Sequence, residues 1–164
     1  MITIKSIEEI ESAVFQKFSC GNHELDEYLK KFARQNHKKN IGKTFVGILD
    51  IYAIGYYTVS MTSIEFHEIP KTHSLGIPKY PAPAAKIGRL AVDSKYQGQK
   101  IGTALLIDAL KKIHEASKIV ASYAVIVDAK NETAKQFYET FGFVRYKCDL
   151  SLFLPMKTIN KLLQ

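Results

Sequence analysis

The residues at positions 97–103 are of types that could bind a phosphate group. Gly98 and Gly102 stand in a polar segment, and Lys100 adds a positive charge between them. An apolar run at 87–92 precedes the segment, and apolar residues recur at helical spacing after it. Since the first N–H groups of a helix have no partner inside it, a loop between a strand and a helix can bind an anion through its backbone. The glycine spacing fits neither a Walker loop nor a dinucleotide fingerprint, so we expect a different phosphate ligand.

A second segment, N-E-T-A-K-Q-F-Y-E-T-F-G-F, begins at Asn131 and carries polar and aromatic residues at helical spacing. Asn131 is a suitable helix cap, and Phe137, Tyr138 and Phe141 lie on one face of the helix that would follow. A nearly continuous apolar strand at 122–128 precedes it. On this apolar face, Tyr138 has the position of a core aromatic residue.

Both segments resemble motifs of the GCN5-related N-acetyltransferases (GNAT). L-A-V-D followed by Y-Q-G-Q-K-I-G-T-A-L-L resembles motif A, whose loop pattern is Q/R-x-x-G-x-G/A. Gln97 matches the first position and Gly102 the last, whereas Lys100 stands where the family usually has its first glycine. The second segment resembles motif B, N-x-x-A-x-x-F-Y-x-x-x-G-F. Together the motifs are more specific than either alone, and the resemblance covers residues 45–154.

This resemblance implies a fold and a cosubstrate. The fold is α/β (α+β), with a central mixed, mostly antiparallel twisted sheet whose central strands splay apart and which is flanked by helices. The cosubstrate is acetyl-coenzyme A. The residues implied to hold it are Leu90, Ala91, Val92, Gln97, Gly98, Gln99, Lys100, Ile101, Gly102, Thr103 and Asn131.

The same resemblance implies that Tyr138 is the general acid. A phenol with a pKa near 10 is protonated at neutral pH and can give its proton to the coenzyme A thiolate. The acceptor amine attacks in its neutral form, and an α-amino group with a pKa near 8 does so without a strong base.

A basic helix is expected before these motifs. It begins after Asn22, and its apolar face contains Leu25, Tyr28, Leu29 and Phe32. Positions 28–49 contain no acidic residue and six cations, Lys30, Lys31, Arg34, Lys38, Lys39 and Lys43. At 100° per residue, the side opposite the apolar stripe carries Lys30, Arg34, His37 and Lys38. This basic ridge, with Arg34 able to hold phosphate in a two-pronged contact, predicts an anionic partner, and a solvated helix face is the alternative.

The remaining segments predict the other strands and one long loop. Strands are expected at 44–49, 51–60, 87–92, 122–128, 143–146 and 150–154. The first two would be joined by a tight turn near Asp50, and Gly55 marks a bulge in the second. The segment 65–83 contains four of the five prolines and should form a loop that walls the acceptor site. Residues 157–164 give no clear pattern.

The N-terminal half resembles a narrower group, the toxin acetyltransferases of bacterial toxin–antitoxin modules (the TacT- and AtaT-like group). The shared patterns are F-x-C-G-N-x-x-L-D-x-x-L-x-x-x-A-x-Q-N, T-F-V and G-R-L-A-V-D. This resemblance implies a toxin that acetylates the α-amine of aminoacyl-tRNA and blocks translation. It implies a ribbon-helix-helix antitoxin and a homodimer as well. The residues expected to contact tRNA phosphates are Lys30, Lys31, Arg34, Lys38, Lys39, Lys43 and Arg89.

Length and composition limit what else the chain could be. Its 164 residues suit a single N-acetyltransferase domain, residues 1–164, and the net charge of +7 agrees with an anionic partner. No apolar run approaches a membrane span, and no export signal stands at the N-terminus. Cys20 and Cys148 form no disulfide framework, and the histidines show no ligand spacing. We therefore expect a cytoplasmic protein with no membrane contact and no metal.

Two other functions stay open. An N-acetyltransferase acting on a small amine or on a protein N-terminus would use the same coenzyme site, although no acidic cluster near either motif favours a polyamine. A non-catalytic module that only binds coenzyme A is suggested by Lys100 alone. The presence of Asn131 and Tyr138 in the pattern argues against it.

Overall fold

The computed structural model describes residues 1–164 and contains one seven-stranded sheet with the order β1-β2-β3-β4-β5-β7-β6. The pairs β1–β2, β2–β3, β5–β7 and β6–β7 are antiparallel. The strands are β1 Thr3–Ser6, β2 Lys43–Leu49, β3 Tyr52–Ile64, β4 Ala82–Val92, β5 Ala124–Asp128, β6 Val144–Arg145 and β7 Ser151–Pro155. A mostly antiparallel sheet flanked by helices confirms the predicted fold class.

Helices account for most of the other regular structure. The α-helices are α1 His23–Glu27, α2 Ala33–Lys38, α3 Lys71–Ser74, α4 Ile101–Ala116, α5 Glu132–Glu139 and α6 Met156–Leu162. A π-helical turn, Tyr28–Phe32, connects α1 to α2 without a break. None of these helices has the length and apolar character needed to cross a bilayer.

The chain divides into two compact units. Unit 1 comprises Met1–Ser60 and Ile87–Ala109, and unit 2 comprises Met61–Lys86 and Leu110–Gln164.

In unit 1, a tight hairpin joins β2 to β3 as predicted. Asp50 forms its turn with a φ of 57°, a left-handed conformation that aspartate tolerates better than most residues. The β2–β3 register shifts beside Gly55, which confirms the predicted bulge. A β-carbon at Gly55 would lie 2.9 Å from the Ala91 carbonyl oxygen and 2.7 Å from a methyl group of Leu105. Only glycine therefore allows β3 to pack this closely against β4 and α4.

In unit 2, β5 is buried on both faces, as its apolar sequence predicted. Its residues Ala124 and Ile126 form a core with Ile64, Ala84 and Phe153. One prediction is corrected here, and one segment without a prediction is now described. The segment 65–83 is more than a loop, because it contains a short 3₁₀ turn, helix α3 and the beginning of β4. The C-terminal segment without a clear sequence pattern forms α6, which buries Ile159.

Candidate active site

The predicted phosphate loop lies in unit 1, between the end of β4 and the first turn of α4. Gly98 has a φ of 80°, and a β-carbon there would meet no atom within 4 Å, so the loop is open at this point. The first bond along α4 runs from the Ala104 N–H to the Lys100 carbonyl. The amides of residues 101–103 therefore precede the first helical hydrogen bond. Open space, free amides and the helix dipole together fit a phosphate group.

Lys100 takes the conformation of the glycine that it replaces. Its φ is 64°, and its side chain is exposed. An L-residue in this left-handed region costs roughly 1–2 kcal/mol. The backbone of the loop thus follows a glycine-like path despite the departure from the family pattern, and the lysine adds a cation beside it.

Asp93 anchors the beginning of this loop, which sequence reasoning missed. Its buried carboxylate accepts hydrogen bonds from the N–H groups of Ser19 at 3.1 Å and Lys95 at 3.0 Å. Its own N–H donates to the Ile54 carbonyl at 2.8 Å. An acidic residue directly after a buried strand was the available signal. Its partner Ser19 is 74 residues away in the chain, so no local pattern could identify it.

Gln97 uses its side chain to hold neighbouring backbone. Its Nε2 donates to the carbonyl oxygens of Val92 at 2.9 Å and Cys20 at 3.1 Å. The side chain therefore bridges the end of β4 and the segment before α1.

Asn131 and Tyr138 lie in unit 2, at the beginning and on the inner face of α5. The Asn131 Oδ1 accepts the Ala134 N–H at 2.9 Å, which confirms the predicted cap and leaves the Nδ2 group available. Tyr138 is 7% exposed and packs edge-on against Phe137 and Phe143. Burial raises the pKa of Tyr138 to about 12, so the phenol is protonated at neutral pH.

Some side chains of the basic helix lie on a different face from the one predicted, because the helix contains the π-helical turn. A π turn contains about one residue more than an α turn, so every residue after Phe32 is rotated relative to ideal 100° spacing. His37 is consequently buried, with its Nδ1 accepting the Thr44 N–H at 3.0 Å. The prediction that His37 lies on the exposed basic ridge is wrong.

Arg34 has internal partners in place of the open two-pronged contact that the sequence suggested. Its Nη1 donates to the Ser12 hydroxyl at 2.9 Å, and its Nη2 donates to the carbonyls of Ile7 and Ile10. The guanidinium also lies 5.4 Å from the centroid of the Phe15 ring. Arg34 thereby ties α2 to the N-terminal segment.

The other cations of this region fall into two groups. Lys31 pairs with Glu27 at 2.7 Å, and Lys43 donates to the His37 carbonyl at 3.2 Å. Three lysines make no such contact, and these are Lys30, Lys38 and Lys39. Arg89, on β4, stacks on the ring of Tyr28 with its Cζ 3.5 Å from the ring centroid. Like the phosphate loop, all these residues belong to unit 1.

No group of three or more His, Cys, Asp or Glu side chains is arranged to hold a metal ion.

Comparison with known proteins shows the family to which the chain belongs. Residues 73–157, which include both motifs, match the acetyltransferase (GNAT) domain family. The chain belongs to the GNAT family and is an N-acetyltransferase.

Three relatives extend the similarity to the whole chain. The tRNA-acetylating toxin of Mycobacterium tuberculosis (strain ATCC 25618 / H37Rv) is 34% identical over 147 residues, covering 89% of this chain and 88% of that protein. AtaT complexed with acetyl-methionyl-tRNAfMet has a TM-score of 0.91 at 28% identity, covering 100% of both chains. A tyrosine-to-phenylalanine mutant of AtaT, bound to the C-terminus of the antitoxin AtaR and to acetyl-CoA, has a TM-score of 0.84 at 26% identity, covering 99% of this chain and 98% of that one.

Proposed function

We propose that this protein is a toxin that transfers an acetyl group from acetyl-CoA to the α-amine of aminoacyl-tRNA and so blocks translation. The observation that carries the proposal is the end-to-end similarity to AtaT complexed with acetyl-methionyl-tRNAfMet, at a TM-score of 0.91. The similarity includes the N-terminal half of the chain, where the basic helix lies. A relative named for tRNA acetylation, 34% identical over 89% of the chain, supports the same substrate.

Acetyl-CoA would be held by backbone groups on β4 and the phosphate loop. The pyrophosphate would take the amides of Gln97, Gly98, Gln99, Lys100, Ile101, Gly102 and Thr103, where the loop is open and the α4 dipole is favourable. The pantetheine arm would pair with the backbone of Leu90, Ala91 and Val92. Asn131 can donate from Nδ2 to the coenzyme, because only its Oδ1 is used by the helix cap.

Tyr138 would protonate the leaving group. The α-amine nitrogen bonds to the thioester carbon as the C–S bond breaks, the amine loses one proton to solvent, the thiolate gains one from the phenol, and the phenolate takes one proton back from solvent. A phenol with a pKa of about 12 is a weaker acid than an ordinary thiol at about 8.5. Tyr138 therefore acts first as a hydrogen-bond donor to the developing thiolate, whose own pKa rises on burial.

The tRNA phosphates would be contacted chiefly by the three lysines that have no internal partner, Lys30, Lys38 and Lys39. Arg89 adds a fourth cation whose orientation is fixed by the Tyr28 ring. Lys31, Arg34 and Lys43 are engaged within unit 1 and would contribute mainly to the local positive potential.

The proposal extends to the cellular setting. We infer a cytoplasmic enzyme that forms a homodimer and is neutralised by an antitoxin of the ribbon-helix-helix type. The structure of AtaT bound to the C-terminus of the antitoxin AtaR supports an antitoxin partner.

The test is to incubate the protein with labelled acetyl-CoA and charged total tRNA and to identify the acetylated species. We expect label on the α-amine of aminoacyl-tRNA. Tyr138→Phe should lower the rate of transfer by about 10²–10⁴-fold, the usual contribution of a general acid. Acetylation of protein N-termini or of small amines, with tRNA unlabelled, would contradict the proposed substrate.

A second tyrosine provides a matched control for this variant. Burial also raises the pKa of Tyr146 to about 12, and its ring packs on Phe153. Tyr146→Phe removes an equivalent hydroxyl in unit 2 and should leave the transfer rate close to that of the wild-type protein. Equal losses in both variants would show that the Tyr138 hydroxyl has no special role.

A further inference from the structure

We propose that Gln97 is a positioning residue of the coenzyme site, whose side chain fastens the phosphate loop to β4 and to the N-terminal segment without contacting the coenzyme. The inference rests on the proposed function, since it concerns how the acetyl-CoA site is held in shape. It assigns a role to a side chain at a position where the motif requires glutamine or arginine.

The hydrogen bonds of the amide exclude a direct role in phosphate binding. A primary amide has two N–H donors on one nitrogen, and here they point to the Val92 and Cys20 carbonyls at 2.9 and 3.1 Å. Rotating the amide by 180° would set its oxygen against two carbonyl oxygens, so this orientation is fixed by its partners. The only group left over is Oε1, an acceptor that repels a phosphate.

Further bonds hold the same N-terminal residues to the loop. The Ser94 N–H donates to the Ser19 carbonyl at 2.8 Å, and the Ser19 N–H donates to the Asp93 carboxylate at 3.1 Å. Gln97 continues this row to Cys20. We call these three bonds the loop bracket. It ties residues 93–97 to Ser19 and Cys20 over a separation of more than 70 positions in the chain.

The loop bracket continues into the basic helix. The Cys20 N–H donates to the Asp26 carboxylate of α1 at 2.9 Å. A path of hydrogen bonds thus runs from the phosphate loop through Gln97 and Cys20 to the helix that leads into the cationic segment. This gives the F-S-C-G-N pattern of the N-terminal half a function, which is to support the donor site.

Loss of the amide should affect the site more than the fold. The Gln97 side chain is exposed, so its removal opens no cavity. The Val92 carbonyl, however, stands at the end of the strand proposed to pair with the pantetheine arm. Without the bracket, both this strand end and the loop amides lose their fixed position, which lowers transition-state binding.

The experiment compares Gln97→Met, which keeps the chain length and removes both donors, with Gln97→Arg, which restores donors. Each is assayed with acetyl-CoA and with S-acetyl-pantetheine, which has no phosphates. Amide hydrogen exchange is measured on the coenzyme-free proteins. Gln16→Met, a change at an exposed glutamine away from the bracket, is the control.

We expect Gln97→Met to lower kcat/KM about tenfold with both donors, which corresponds to about 1.4 kcal/mol. In Gln97→Met, hydrogen exchange at the Ser94 amide should become at least about tenfold faster than in the wild-type protein. The melting temperature of Gln97→Met should stay close to that of the control Gln16→Met. Gln97→Arg should recover most of the activity. A loss confined to acetyl-CoA, with exchange at Ser94 unchanged, would make Gln97 a direct phosphate ligand, and unchanged exchange and kinetics would show that the bracket has no effect; either result overturns the proposal. If the wild-type protein used neither donor, the proposed function would fail, and the exchange at Ser94 would still decide on the bracket.

Discussion

Replacing Arg34 by alanine separates a structural role of this cation from a role in tRNA binding. Its guanidinium donates to the Ser12 hydroxyl and to the carbonyls of Ile7 and Ile10, and it stacks on Phe15. These contacts connect α2 to the N-terminal segment, which contains the 3₁₀ turns Ile7–Glu9 and Ser12–Val14. We expect Arg34→Ala to lower the free energy of unfolding, and to lower the affinity of the folded protein for tRNA less than the loss of an exposed lysine does, because Arg34 then contributes only to the local positive potential.

The size of the loss can be worked out from these contacts. A hydrogen bond from a charged donor contributes roughly 1.5–3 kcal/mol, and a cation–π contact about 0.5–1 kcal/mol. The guanidinium is only half-buried, so water replaces part of what is lost. We therefore expect Arg34→Ala to lower the free energy of unfolding by about 3 kcal/mol in total. For a chain of this size each kcal/mol changes the melting temperature by roughly 2–4 °C, so it should fall by roughly 6–12 °C.

Urea denaturation and filter binding of charged tRNA at several salt concentrations measure the two effects. Lys38→Ala is the matched control, since Lys38 is exposed and lies one helical turn further on. That variant should keep its stability within about 0.5 kcal/mol and reduce the slope of log affinity against log salt by about one. If Arg34→Ala were as stable as the wild-type protein and reduced that slope itself, the guanidinium would be free to bind phosphate and our reasoning would be wrong.

Two further predictions concern His37 and Lys100. Burial, and then Lys43, lowers the pKa of His37 below its ordinary value, while its Nδ1 must stay unprotonated to accept the Thr44 N–H. The folded state thus binds this proton less readily than the unfolded state, so the stability that depends on it is present above a pH of about 6.5 and is lost as the pH falls below that value. Urea denaturation at several pH values should show this loss, and His37→Asn, which keeps an acceptor that does not titrate, should reduce it. Replacing Lys100 by glycine removes the strain of its left-handed backbone conformation but increases the conformational entropy of the unfolded chain. The free energy of unfolding should therefore change by less than about 1 kcal/mol. Loss of the charge should weaken acetyl-CoA binding about threefold in calorimetry, to the same extent in Lys100→Gly and Lys100→Met; tighter binding by the glycine variant would show instead that the lysine side chain narrows the loop.

Features determined by neighbouring residues in the chain were predictable. Asn22 and Asn131 were recognised as helix caps because a cap needs only its own side chain and the next turn. The bulge at Gly55 and the turn at Asp50 follow from residue types at single positions. The fold itself was predicted from two motifs in order.

Features that depend on distant partners were not predictable. The sequence contains Gln97, but its partner Cys20 is 77 residues away, so the direction of its amide could not be inferred. The π-helical turn was missed for a similar reason. The apolar spacing of Leu25, Tyr28 and Leu29 is normal for an α-helix. The contacts made just after the wider turn, by Arg34 with the N-terminal segment and by His37 with β2, involve residues that no local pattern could identify as partners.

The additional residue in that wider turn has a consequence for comparing this chain with its relatives. The π turn contains about one residue more than an α turn, so it changes the direction in which side chains point around the helix axis. The sequence spacing between a cation before Phe32 and a cation after it therefore gives the angle between them wrongly by about one position. If a relative has a regular α-helix at this place, a sequence alignment would pair a lysine of this chain with a lysine that lies on a different face of the helix. Substrate preference among these relatives should therefore be compared with the direction in which each charged side chain points. That direction has to be measured separately for the residues before and after the π-helical turn.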